Sequence, residues 1–110
     1  MASRIDFNIA ERVWDNIRSN TDVTLANNVD AVHNEFVRLR DRLQNDKSAL
    51  YSMNVAENRI ALSVEISCFV SRAYMFYAAL KNVRDFSPEE KQLGKELASF
   101  HEEGMNLVQL

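Results

Sequence analysis

Residues 55–83 read VAENRIALSVEISCFVSRAYMFYAALKNV, and nineteen of these twenty-nine are apolar. The run is too long for a strand and holds neither Gly nor Pro to break it. It reads as one helix, opened by Asn54 with Glu57 three residues on, the spacing of a capping box, and ending near Arg84. Its polar line is narrow. Asn58, Glu65 and Arg72 lie seven apart and nearly superimpose, which marks them as its outer face. A helix apolar over most of its circumference is buried by more than one neighbour. This one is therefore expected at the centre of the fold or at a subunit interface.

The flanking sequence supplies the neighbours. Leu25, Val29, Val32, Phe36, Leu39 and Leu43 are spaced 4, 3, 4, 3, 4, the coiled-coil-like period at which bundle helices cross at about 20°. They predict a helix from near Thr21 to about 46–51. Run backwards, that stripe lands on Asp22, Arg18, Asp15 and Glu11, all polar. The stripe of Ala10, Val13, Trp14 and Ile17 is out of register with it, so a separate short helix is expected over about 8–18, with Asn8 and Glu11 as its capping box. Downstream, Ser87-Pro88-Glu89-Glu90 combines an N-cap serine, a proline suited to the first helical position, and two acids for the positive end of the dipole. Leu93, Leu97, Phe100, Gly104 and Leu107 keep one phase, so this helix is expected to run through Gly104 as a close-contact residue. Short connections make antiparallel neighbours. The expected fold is all-α, an up-down bundle of four helices (one short N-terminal helix, three longer), as a single domain over 1–110.

Composition agrees. The chain has 110 residues, 46% apolar and 26% charged, enough for a core. Two Gly and one Pro are too few for a turn-rich sandwich or barrel. One Cys forms no internal disulfide, which favours a reducing, cytoplasmic setting. The start Met1-Ala2-Ser3-Arg4 lacks the apolar segment of a signal peptide. The longest charge-free stretch of the apolar run, Ala73 to Leu80, is well short of the roughly 18 residues of a membrane span. A net charge of −3 makes no case for a general polyanion binder.

The candidate chemistry is sparse. His101-Glu102-Glu103-Gly104-Met105 has Met where a zinc site needs a second His. Asp30 and His33 have the spacing of half a di-iron pair, but Ala98 stands where His101 would need its acid. No nucleophilic constellation occurs, and Cys68, beside Phe69 and Val70, reads as core filler. No enzyme, metal or cofactor is expected. Arg38, Arg40, Arg42 and Lys47 form the one basic cluster, read as a solvated face with Arg42 and Asp46 able to pair. Ser63, Ser67 and Ser71 recur every four residues, a low ridge continued by Tyr74 and Ala78 that reads as a packing seam. Met105 to Leu110 holds four apolar residues in six and no side-chain charge, so the segment is expected to pack on the bundle through Leu107, the alternative being a docking tail.

These features predict a non-catalytic protein–protein interaction module, an adaptor, chaperone, inhibitor or immunity-type factor acting through helical surfaces. The candidate interaction residues are Arg38, Arg42, Lys47, Ser63, Ser67, Ser71, Leu107 and Leu110. With only three partner helices for residues 55–83, a homodimer is expected to complete their burial. The alternative is a small nucleic-acid-associated regulator using Arg38, Arg42 and Lys47.

Overall fold

The computed structural model describes residues 5–20, 26–45 and 56–109. They form four helices and no strand: α1 (Phe7–Ser19), α2 (Ala26–Asn45), α3 (Ala56–Lys81) and α4 (Pro88–Asn106). The expected bundle is present. Facing side chains fix its topology. Trp14 lies on His33 and Phe7 on Phe36, Phe36 on Phe69, and Phe69 on Phe100, while Arg12 pairs with Glu96. With Arg42 beside Glu65, Gly104 against Ile66 and Asn20 bonded to Glu90, the numbering of each pair of neighbours runs in opposite directions, so α1–α2, α2–α3, α3–α4 and α1–α4 are all antiparallel.

The core is the meeting of the four apolar stripes. Ile9, Ala10, Val13 and Ile17 of α1 and Val32, Phe36 and Leu39 of α2 are buried. They meet Leu62, Ile66, Phe69, Ala73, Phe76 and Leu80 of α3 and Leu93, Leu97 and Phe100 of α4. An aromatic chain crosses all four helices: Phe7 stacks on Phe36 at 5.5 Å, Phe36 meets Phe69 at 6.2 Å, and Phe69 meets Phe100 edge-on at 6.3 Å. Offset and edge-on ring pairs add about 0.5–1.5 kcal/mol each beyond their burial.

The helix ends follow local chemistry, with two departures from the sequence reading. α1 begins at Phe7, and its cap is Asp6, whose carboxylate accepts from the Asn8 N–H at 3.0 Å; Asn8 is already helical. An aspartate there meets a free N–H and the positive end of the dipole together, so it displaces the Asn8–Glu11 box. α3 ends at Lys81, three residues short of Arg84. The N–H groups of Val83 and Arg84 both return to the Leu80 carbonyl, and the Arg84 side chain is held by α4. The break after α1 falls at Ser19–Asn20, as the change of phase requires. The expected starts of α2 at Thr21 and α3 at Asn54, and the end of α2 at 46–51, lie outside the described residues.

α4 opens with the full capping box. Ser87 accepts from the Glu90 N–H, and the Glu90 carboxylate accepts from the Ser87 N–H. The helix passes through Gly104, which is buried against Ile66 of α3. A Cβ built there would lie 2.8 Å from Ile66 Cγ2, so the missing side chain is what lets the two helices approach.

Candidate interaction surface

α3 packs against α1, α2 and α4. Its inward arc is filled, and the charged line sits where α2 meets it. Glu65 Oε1 is 3.5 Å from Arg42 Nη2 of α2, and both groups are partly buried. The line of Asn58, Glu65 and Arg72 is therefore not the outer face of α3. An interhelical cation recruited Glu65 to the α2 flank, although Arg72, two turns on, is exposed.

The outward face is a different stripe. Ile60, Val64, Ser71, Tyr74, Met75 and Ala78 are exposed, and Ser67 is half-buried among them. Val64 and Met75 keep 55% and 53% of their surface in water. Cys68 is exposed on the edge of this face, not core filler as the sequence suggested. The error has a simple cause: Phe69 and Val70 are buried, but a neighbour in sequence points about 100° away on a helix. From Ile60 to Ala78 the stripe carries no formal charge and runs about 27 Å at the helical rise.

One edge of the face dips into an open groove of about 260 Å³, lined by Glu35 of α2 and by Ser67, Cys68, Ser71, Arg72 and Met75 of α3. Glu35 is buried, its Oε1 is 3.6 Å from Arg38 Nη1, and its Oε2 makes no hydrogen bond among the described residues. Periodicity gave no sign of Glu35; only its place one helical turn from Leu39 and beside Phe36 on the α2 stripe hinted at burial.

The structure disperses the other sequence candidates. Arg42 is paired with Glu65, while Asp46 and Lys47 lie outside the described residues. Arg38 is exposed beside Glu35, and Arg40 sits over the Phe36 ring at 5.9 Å. Among the described residues the three arginines thus do not converge on one patch. The serine ridge splits: Ser63 is buried, Ser67 half-buried and Ser71 exposed, because a four-residue step drifts about 40° per turn around the helix. It leaves the core and joins the outward face. Leu107 is buried, packing on its own bundle, while Met105 and Val108 are exposed and Leu110 lies outside the described residues. His33 is exposed and stacked on Trp14 at 5.1 Å, and His101 is half-buried on α4. Among the described residues no group of three His, Cys, Asp or Glu is placed to hold a metal ion.

A polar clasp at the C-terminal end of α3 was also missed in part. Glu90, almost fully buried, accepts from Arg84 Nη1 at 2.7 Å and Nη2 at 2.9 Å, and from Asn20 Nδ2 at 3.3 Å. The Arg84 guanidinium, helped by the Ser87 donors, holds its carboxyl down at about 2. The Tyr77 hydroxyl donates to Asn16 Oδ1 at 2.9 Å, and burial pushes this phenol well above its ordinary range. The clasp joins the ends of α1 and α3 to the start of α4. The sequence marked Glu90 as a capping acid; its partners Asn20 and Arg84 are brought together only by the tertiary fold.

No family model, curated protein or solved structure matches the chain. By length and composition one helix among the described residues, Asn58–Lys81 with mean hydropathy 1.2, is apolar enough to cross a membrane; 44% of that window is buried inside the bundle. Core helices of water-soluble bundles have the same composition.

Proposed function

We propose that this chain is a non-catalytic protein-binding module of the cytoplasm, and that it docks a partner protein on the outward face of α3. The observation that carries this reading is the charge-free stripe from Ile60 to Ala78, which stays open to water after four helices have closed the core. A large apolar side chain standing singly on a surface needs no explanation, but Ile60, Val64, Tyr74 and Met75 are aligned on one helix face. Helix-face docking uses anchors at this spacing. The single free thiol suits a reducing compartment. Nucleic-acid binding has less support, since Arg42 is engaged by Glu65 and Arg38 lies beside Glu35.

Site-specific photo-crosslinking tests the reading. Benzoylphenylalanine at Val64, in cells expressing the chain, should give a protein adduct, while the same group at exposed Lys95 of α4 should not. Absence of any adduct at Val64, or equal adducts at both positions, would refute the assignment of this face. A nucleic-acid role would appear instead as binding that weakens steeply with salt.

A further inference from the structure

We infer that the occupant of this face is a second copy of the chain, packed through α3 antiparallel to α3 across a two-fold axis between Ser67 and Ser71. The inference rests on the protein-binding reading above and names its partner. Ile60, Val64, Ser67, Ser71, Tyr74 and Ala78 are spaced 4, 3, 4, 3, 4. That is a coiled-coil seam, yet it faces water rather than a helix of its own bundle. The spacing is the same read from either end. Turned end for end, the series falls on itself: Ser67 meets Ser71 of the second copy, Ile60 meets its Ala78, and Val64 meets its Tyr74.

An isologous contact requires this property of a surface, because one patch must complement itself. The side chains satisfy it as well as the spacing does. Small residues occupy the middle, where the two-fold brings the backbones closest, and the bulky Ile60 falls on the small Ala78. Charges agree with the same register. On the α2 flank, Glu65, which Arg42 of its own copy partly neutralises, and exposed Arg72 come within one residue of being opposite across the axis. A parallel pairing would set like beside like there. Two such faces together remove on the order of 1,000 Å² from water, the lower bound for a specific interface.

Sedimentation equilibrium of the full chain over a micromolar concentration series is the direct test. A reversible dimer is expected, and Ser71→Glu should weaken it at least tenfold with an unchanged far-ultraviolet circular dichroism spectrum, since Ser71 is exposed. Tyr74→Lys should also weaken it, and adding Val64→Glu in the same chain should restore it, since the register sets these two exposed positions opposite one another; this pair keeps the test decisive even if Ser71→Glu perturbs the fold. Native Cys68, exposed beside the axis, should join copy to copy with a short bismaleimide, and Ser71→Glu should abolish the product. A monomer mass at several hundred micromolar overturns the inference, as does a dimer indifferent to both sets of substitutions. If the chain is monomeric but Val64 still crosslinks to another protein, the second copy is excluded while the protein-binding face stands. If neither occurs, both readings fall.

Discussion

Gly104 and Gly94 lie on the same helix, and the same substitution should act on them with opposite sign. Alanine has a helix propensity better than glycine by about 0.8–1 kcal/mol in an interior position. At Gly94 a built Cβ meets nothing within 4 Å, so Gly94→Ala should stabilise by about 0.5–1 kcal/mol. At Gly104 the Cβ would stand 2.8 Å from Ile66 Cγ2 and 3.2 Å from Ile66 Cβ. Carbon atoms pack best at about 3.5–4.0 Å. Ile66 is fully buried and the atoms concerned are at the root of its side chain, so relief requires the α3–α4 spacing to open. Overpacking of this kind costs about 1–3 kcal/mol. Gly104 is in the last turn of α4, where the propensity gain is smaller. The net expectation is a loss of about 1–2 kcal/mol. Urea unfolding of the two variants and the parent, at one protein concentration, measures both numbers. Ile66→Leu moves the side-chain branch away from Cβ and removes Cγ2, so the double variant Gly104→Ala/Ile66→Leu should be more stable than the sum of the single effects, by a coupling of about 1 kcal/mol. If Gly104→Ala stabilises as Gly94→Ala does, the close approach of α3 and α4 at this point is wrong.

Glu90→Gln should cost roughly 2 kcal/mol through the loss of charged hydrogen bonds to Arg84. Because the Glu90 carboxyl is held at about 2, below the ordinary 4.5, its contribution to the parent is complete above about pH 4.5 and is lost as pH falls toward 2; the variant should show a flatter acid limb in a thermal-melting series. Tyr77→Phe removes the hydroxyl that donates to Asn16 and should destabilise by about 1 kcal/mol in the same assay. Leu107→Ala should cost about 2–4 kcal/mol, and deletion of 105–110 at least as much, because the Leu107 side chain is buried in the bundle; an unchanged melting temperature would refute that packing. His33→Ala should change stability by less than about 1 kcal/mol, since it removes only an exposed ring stacked on Trp14, and tryptophan fluorescence should report the lost contact.

The parts of the fold that were legible in the sequence are those where one side of a helix differs from the other. The α2 stripe through Val32, Phe36 and Leu39 is buried as its spacing demands, and the phase conflict with Ala10, Val13 and Ile17 marked the break before α2. Ser87-Pro88-Glu89-Glu90 announced the start of α4 because each residue there has a separate physical preference for that position. α3 defeated the same reasoning. Its apolar residues surround it, so periodicity carried no direction, and the few charges were the only guide to its outer side. That guide fails when a neighbouring helix offers a counter-charge, as Arg42 does to Glu65. Cys68 was misread because its buried neighbours Phe69 and Val70 say nothing of a residue turned about 100° from them. Long-range pairs such as Arg84 with Asn20, or Tyr77 with Asn16, have no signature in spacing at all, since their partners meet only after the helices have packed.

The two faces of α3 are separable, and this makes the functional reading unusually accessible to mutation. Leu62, Ile66, Phe69, Ala73, Phe76 and Leu80 turn inward and complete the core with the other three helices. Ile60, Val64, Ser71 and Met75 turn outward and stay exposed. In most small domains an apolar residue cannot be changed without a cost in stability that obscures any effect on binding. Here the protomer's own stability should be insensitive to the outward set. Val64→Ser and Met75→Gln should therefore leave unfolding, extrapolated to concentrations where the chain is monomeric, within about 0.5 kcal/mol of the parent. Any loss of association in those variants then belongs to the surface. A large loss of monomer stability would mean instead that the stripe is covered by part of the chain's own bundle, and the face would no longer be free to bind anything.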